Sequence, residues 1–163
     1  MLSISFEEFL IWKKRQLSKG GDQQSFAVLL DCIGGISASD LNLISLNLEG
    51  KLHLKKKLEF LESLWDNHLL KSCPIQYLCG ITFWRDLKLK VTNKVLIPRP
   101  ETELIVDIVF NKFRRKSEKL FFAELGTGSG AISIALALAY PSSDVVATAV
   151  SYTHLTLPTI LLV

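Results

Sequence analysis

ELGTGSG, residues 124–130, is the stretch on which the reading of this chain turns. Glycine stands at 126, 128 and 130, with one apolar run before it and another after it. Alternating glycines let the backbone adopt conformations that other residues avoid, and let a ligand come close to the main chain. Residues 120–125, LFFAEL, are predicted to form a short strand, buried on both faces if it sits in a parallel sheet. Residues 131–140 are predicted to form a helix ended by Pro141, and residues 144–150, DVVATAV, a second buried strand. Strand, glycine turn, helix, strand is the first βαβ unit of a doubly wound, Rossmann-like α/β sheet, the fold class expected here.

The turn admits several ligands. A P-loop needs Lys followed by Ser or Thr after its last glycine, and Ala131-Ile132-Ser133 stands there instead. The dinucleotide fingerprint fits Gly126, Gly128 and Ala131, so spacing leaves it open, and a tight turn with no ligand is a third reading. Two details favour S-adenosylmethionine: the alternate third glycine, Gly130, and Glu124 two residues before the first. A carboxylate at that strand end can attract the ammonium of a bound methionine moiety. The loop N–H groups and the helix N-terminus favour its carboxylate. The expected cofactor-binding residues are therefore Glu124, Gly126, Thr127, Gly128, Ser129 and Gly130.

Working toward the N-terminus, Pro100 suits the first turn of a helix that opens with Glu101 and Glu103. Leu104, Ile105, Ile108, Val109 and Phe113 are its expected apolar face, and the basic run 114–116 follows. Upstream, Leu87, Leu89 and Val91 alternate with polar residues. Thr92-Asn93-Lys94 supplies a turn and Val95-Leu96-Ile97 returns, which predicts a β-hairpin. Residues 1–73 read as a small helical bundle. Ser5 and Glu8 have capping-box spacing before a helix over 5–18, with Trp12 off its apolar stripe. A second helix runs from Gln23 to Ile33, and Ser39 or Asp40 caps a third. The strongest amphipathic pattern covers 52–70, with Leu54, Leu58, Leu61, Leu64, Trp65 and Leu69. Lys55, Lys56 and Lys57 are expected on a solvated face of that helix, and His53 and His68 on its surface.

Composition sets bounds. Of 163 residues, 48% are hydrophobic and 21% charged, which suits a globular protein, and the net charge of +3 demands no nucleic-acid partner. Three cysteines without a C-x-x-C pair suit idle thiols in a reducing compartment, and no metal ligand set is spaced for a site. Glu7 and Glu8 interrupt any signal-peptide core, and no apolar run reaches the roughly 18 residues of a membrane span. The expected location is the cytoplasm, and the expected state a monomer.

PIQYLCG at 74–80, LIPRPETE at 96–103 and ELGTGSGAISIALA at 124–137 together closely resemble the HemK/PrmC family of release-factor glutamine methyltransferases. The resemblance runs from residue 1 to about 148, and its IPRPETE block is the most family-specific part. It implies transfer of a methyl group from S-adenosylmethionine to the side-chain amide of the glutamine in the Gly-Gly-Gln loop of peptide chain release factors. It implies a release-factor-binding helical domain at 1–73, a linker with a hairpin at 74–98, and the start of a donor-binding domain at 99–149. Arg99, Glu101 and Thr102 would form a neighbouring active-site wall, and Phe83 and Trp84 would pack between domains.

The chain departs from that family at its end. The Asn-Pro-Pro-Tyr motif that holds the target amide is absent from these 163 residues, so no catalytic residue is assigned. Ala149 stands where an acid should receive the ribose hydroxyls. Residues 150–163, VSYTHLTLPTILLV, match nothing in the family, resemble translated sequencing-adapter DNA, and read as a non-native tail on a truncated frame. The chain as written is expected to be poorly stable and catalytically silent. Alternatives are a nucleic-acid adenine-N6 methyltransferase, which should carry Arg- and Lys-rich recognition surfaces, and a non-catalytic module that docks release factors or ribosomal proteins. A nicotinamide oxidoreductase has no use for PIQYLCG or IPRPETE.

Overall fold

The computed structural model describes residues 2–46, 49–113 and 119–149; the basic run at 114–116 and the segment 150–163 lie outside the described residues. The chain is mixed α/β and divides into two compact units, Met1–Cys79 and Gly80–Val163.

In the first unit, strand β1 (Leu2–Ser5) leads into helix α1 (Phe6–Ser18). The Ser5–Glu8 capping box forms: the Ser5 hydroxyl accepts from the Glu8 N–H at 3.2 Å, and Glu8 accepts from the Ser5 N–H at 3.2 Å. Helix α1 buries Phe6, Phe9, Trp12 and Gln16, so Trp12 belongs to the stripe rather than lying off it. Helix α2 (Gln23–Leu29) is capped by Asp22 and widens into a π-turn, Leu30–Gly34, that ends at left-handed Gly35. Helix α3 (Ala38–Leu46) is capped earlier than expected, by Ser37 rather than Ser39 or Asp40: the Ser37 hydroxyl accepts from the Asp40 N–H at 3.2 Å, and its own N–H and O–H donate to the Asp40 carboxylate.

The largest correction concerns residues 52–57. Leu52 and Leu54 lie on strand β2 (Lys51–Leu54), which pairs antiparallel with β1 in the register Leu2↔Leu54 and Ile4↔Leu52. Helix α4 starts only at Leu58 and runs to Lys71. Leu54, Leu58 and Leu61 satisfy the helical period, but Leu52 and Leu54 equally satisfy the strand period. Pairing with residues more than forty positions away, invisible to local spacing, decides between them. Lys55 and Lys56 therefore sit in an exposed turn and Lys57 at the N-cap of α4, not on a helix face. His53 is exposed on β2. His68 lies on α4 with its ring centroid 5.0 Å from that of Trp65 and its Nδ1 2.7 Å from the Cys73 carbonyl oxygen.

The core of this unit is a run of stacked aromatics, Phe9, Trp12, Phe26 and Trp65, surrounded by Leu29, Leu30, Ile44 and Leu61. The unit extends past residue 73 because helix α5 (Ile75–Cys79) seats Ile75 in that core and packs Leu78 and Cys79 against it. Burial, and secondarily Cys32, pushes the Cys79 thiol up to about 12. A thiol with a raised folded value stabilises the fold fully below its unfolded value and loses that contribution as pH rises toward 12. Urea unfolding between pH 8 and 12 is therefore expected to show falling stability in the parent and a flatter profile in Cys79→Ala; equal slopes contradict this assignment.

The second unit opens with a hairpin of strands β3 (Ile81–Trp84) and β4 (Leu87–Lys90), paired Trp84↔Leu87. The turn is Arg85-Asp86, with Arg85 at φ 50, so the hairpin lies one strand earlier than expected, and residues 95–97 form no strand. Trp84 is buried in this unit's own core and donates its indole N–H to the Arg99 carbonyl at 2.9 Å; Phe83 is exposed. After a 3₁₀ turn, Pro100–Thr102, helix α6 (Glu103–Lys112) buries Val106 and packs Val109 and Phe110 inward. Of the expected apolar face, Val109 and Phe113 pack on the core, whereas Leu104, Ile105 and Ile108 are exposed. Apolar residues surround most of α6, so its period does not choose a face; the positions of Trp84 and Tyr140 do.

Strand β5 (Phe121–Leu125), helix α7 (Ala131–Ala139) and strand β6 (Asp144–Thr148) form a β–α–β unit whose strands run parallel, with Glu124 opposite Ala147 and Leu125 opposite Thr148. Tyr140, fully buried, ties the end of α7 to α6 through its hydroxyl, which donates to the Phe113 carbonyl at 2.9 Å. One sheet face packs inward through Phe122. The other leaves Phe121 and Leu125 open, at 69% and 84% exposure, so among the described residues the strands are covered on one side.

Candidate functional site

The turn between β5 and α7 gathers the residues expected at the site. Gly126, Gly128 and Gly130 have φ of 81°, 58° and 80°, a left-handed region that side chains with a Cβ resist. A Cβ added at Gly126 or Gly128 would meet, chain neighbours aside, no atom of the described residues within 4 Å. The glycines thus serve the backbone path and leave the space beside it open, as a closely approaching ligand requires.

The N–H groups are divided between fold and site. Those of Gly126 and Thr127 both donate to the Thr148 carbonyl, at 2.8 and 2.9 Å, and stitch the turn to the end of β6. The Gly130 N–H donates to the Thr127 carbonyl at 2.9 Å. Gly128 and Ser129 have N–H groups for which no partner is found among the described residues, and the first two of α7, at Ala131 and Ile132, have none inside the helix. The N–H groups left open to an acceptor among the described residues therefore begin at Gly128, later than the glycine pattern alone suggests. They meet the positive end of the α7 dipole.

Glu124 sits beneath this turn. Its Oε2 accepts from the Thr127 hydroxyl at 2.7 Å, from the Ser133 N–H at 3.0 Å, and from the Ser133 hydroxyl in a short contact. The N-cap of α7 is Gly130, which has no side chain to cap the helix, and Glu124 caps it from the preceding strand instead. Thr127 and Ser133 are buried to 7% and 5% exposure, so these bonds are shielded from water. The glycine pattern does not point to Ser133; its signal in the sequence is that it is the one polar side chain in AISIALALA.

Arg99, Glu101 and Thr102 belong to a second cluster. The Arg99 carbonyl receives the Trp84 indole N–H and the Thr102 N–H, the latter at 3.1 Å. Arg85 donates to Asp107 at 2.8 Å and to the Glu103 carbonyl at 3.3 Å, with its guanidinium 5.6 Å from the centroid of the Phe110 ring. These bonds fasten the PRPETE turn to the hairpin and to α6. The Arg99 and Glu101 side chains are exposed. Ala149 follows β6 at the strand end nearest the turn. Among the described residues no group of three or more His, Cys, Asp or Glu is placed to hold a metal ion.

The arrangement can hold a small zwitterion: the Glu124 carboxylate lies next to an open glycine turn whose Gly128 and Ser129 N–H groups have no partner found among the described residues. No family model matches the chain. Curated proteins do. It is 44% identical over 139 residues to the release factor glutamine methyltransferase of Prochlorococcus marinus, an alignment covering 85% of this chain and 47% of the relative. It is 40% identical over 151 residues to the protein of that name from Synechocystis sp., covering 86% and 49%, and 36% identical over 138 residues to the one from Gloeobacter violaceus, covering 82% and 46%. The chain spans about half the length of the curated relatives it matches.

Proposed function

Across most of its length the chain belongs with the HemK/PrmC release factor glutamine methyltransferases, and on that premise we propose that it carries the donor-binding start of an enzyme that methylates a glutamine side-chain amide of peptide chain release factors in the cytoplasm. The donor is S-adenosylmethionine, and its fold is the first part of a Rossmann-like sheet. The helical first unit is the release-factor-binding part.

The observation that carries this reading is the turn itself: Glu124 under an open glycine loop at the head of α7, in a chain related to methyltransferases. An amide nitrogen is a poor nucleophile because its lone pair is delocalised into the carbonyl. The sulfonium of the donor supplies an already activated methyl group. What the protein must add is alignment of nitrogen, methyl and sulfur, and polarisation of the amide. In this chain the N–H groups of Gly128, Ser129, Ala131 and Ile132 would receive the donor's carboxylate, and Glu124 would face its ammonium. Gly126 and Gly128 keep that space free of side chains.

The residues that would polarise the target amide are not among these 163, since they contain no Asn-Pro-Pro-Tyr. The chain by itself is therefore a donor-binding piece that transfers no methyl group. The test joins residues 1–148 to the remaining part of the Synechocystis relative. With labelled donor, the chimera is expected to label a release factor at glutamine and to leave DNA unlabelled, while the 163-residue chain labels neither. Label on DNA would move the assignment to the adenine methyltransferases, and transfer by the short chain would refute its silence.

A further inference from the structure

We propose that Ser133 is a positioning residue for the amino-acid end of the methyl donor, acting through Glu124; the proposal rests on the donor-binding reading above. Helix α7 is AISIALALA, and a serine in such an apolar helix normally satisfies its hydroxyl on a carbonyl of the preceding turn. Ser133 instead reaches across to strand β5 and places both its N–H and its O–H on Glu124 Oε2. Thr127 adds a third donor to the same oxygen. Among the described residues no hydrogen bond is found on Oε1.

Three donors converging on one oxygen fix the rotation of the carboxylate. A carboxylate held by one oxygen presents the other in a set direction, and the open side of this site is where the glycines leave room. Pre-set orientation is what turns a nearby charge into a selective acceptor for an ammonium group. Replacing the Ser133 hydroxyl removes one of the three bonds and leaves the backbone cap in place, so Glu124 regains freedom without loss of the helix.

A merely structural serine and a positioning serine give different outcomes with two ligands. S-Adenosylhomocysteine carries the amino-acid end and 5′-methylthioadenosine lacks it. Calorimetry on the 163-residue chain is expected to show that Ser133→Ala weakens S-adenosylhomocysteine by about tenfold, the scale of one hydrogen bond to a charged group. Binding of 5′-methylthioadenosine should be unchanged, and Ser133→Thr, which restores the hydroxyl, should recover the loss. Equal weakening of both ligands, no weakening, or no recovery with threonine would each overturn the proposal while the donor-binding reading stands. If Ser133→Ala fails to fold, Glu124→Gln supplies the same selectivity test, and an unselective loss overturns it. A parent chain that binds neither ligand removes the donor-binding reading, and this proposal with it.

Discussion

Trp65→Ala is expected to cost the first unit about 3–5 kcal/mol of stability, the range for deleting a large buried aromatic. Trp65 is fully buried and packs edge-on against Phe26, with ring centroids 4.8 Å apart. Its indole N–H donates to the Gln16 carbonyl at 3.2 Å, and truncation removes that bond, leaving the carbonyl only the Lys19 N–H at 3.1 Å. Small domains have only about 5–15 kcal/mol in total, so the variant should sit near its unfolding midpoint at room temperature. Urea unfolding followed by far-UV circular dichroism checks this. Trp65→Phe, which keeps a ring beside Phe26, should lose clearly less. A loss below about 1 kcal/mol for the alanine variant would mean that the stacked aromatics do not organise this unit.

The second large effect concerns the glycine turn. Gly128→Val is expected to weaken S-adenosylmethionine binding by roughly tenfold to a hundredfold, from about 1–3 kcal/mol of backbone strain at a positive φ together with a side chain in the ligand's space. The matched control is Gly80→Val. Gly80 has a similar φ of 70° and equally open surroundings, but it lies at the start of β3 rather than in the turn. Both variants should lose comparable stability, and only Gly128→Val should lose the donor. Equal effects on binding would reduce the loop to a turn that any strained residue disturbs.

What could be read from the sequence was whatever local chemistry decides. The Ser5–Glu8 cap lies within one turn, and the β5–α7–β6 order follows from apolar runs broken by glycine and proline. What could not be read was decided at long range. Residues 52–54 satisfy two periods at once, and pairing with Leu2–Ser5 selects the strand. The hairpin at 81–90 turns on Arg85-Asp86, which carries no glycine to announce it. At the site, the glycine pattern located the turn but not its hydrogen-bond economy. Thr148, on the following strand, takes the N–H groups of Gly126 and Thr127, and Ser133 takes hold of Glu124 from a helix that is otherwise apolar.

The central claim is that the turn after Leu125 grips the amino-acid end of a sulfonium donor. Its most direct test is a titration of the isotopically labelled chain with S-adenosylmethionine, followed by amide chemical shifts. Saturable shifts are expected, concentrated at Gly128, Ser129, Ala131 and Ile132, with the amides of the first unit unmoved. Unchanged shifts at those four positions under excess donor would contradict it.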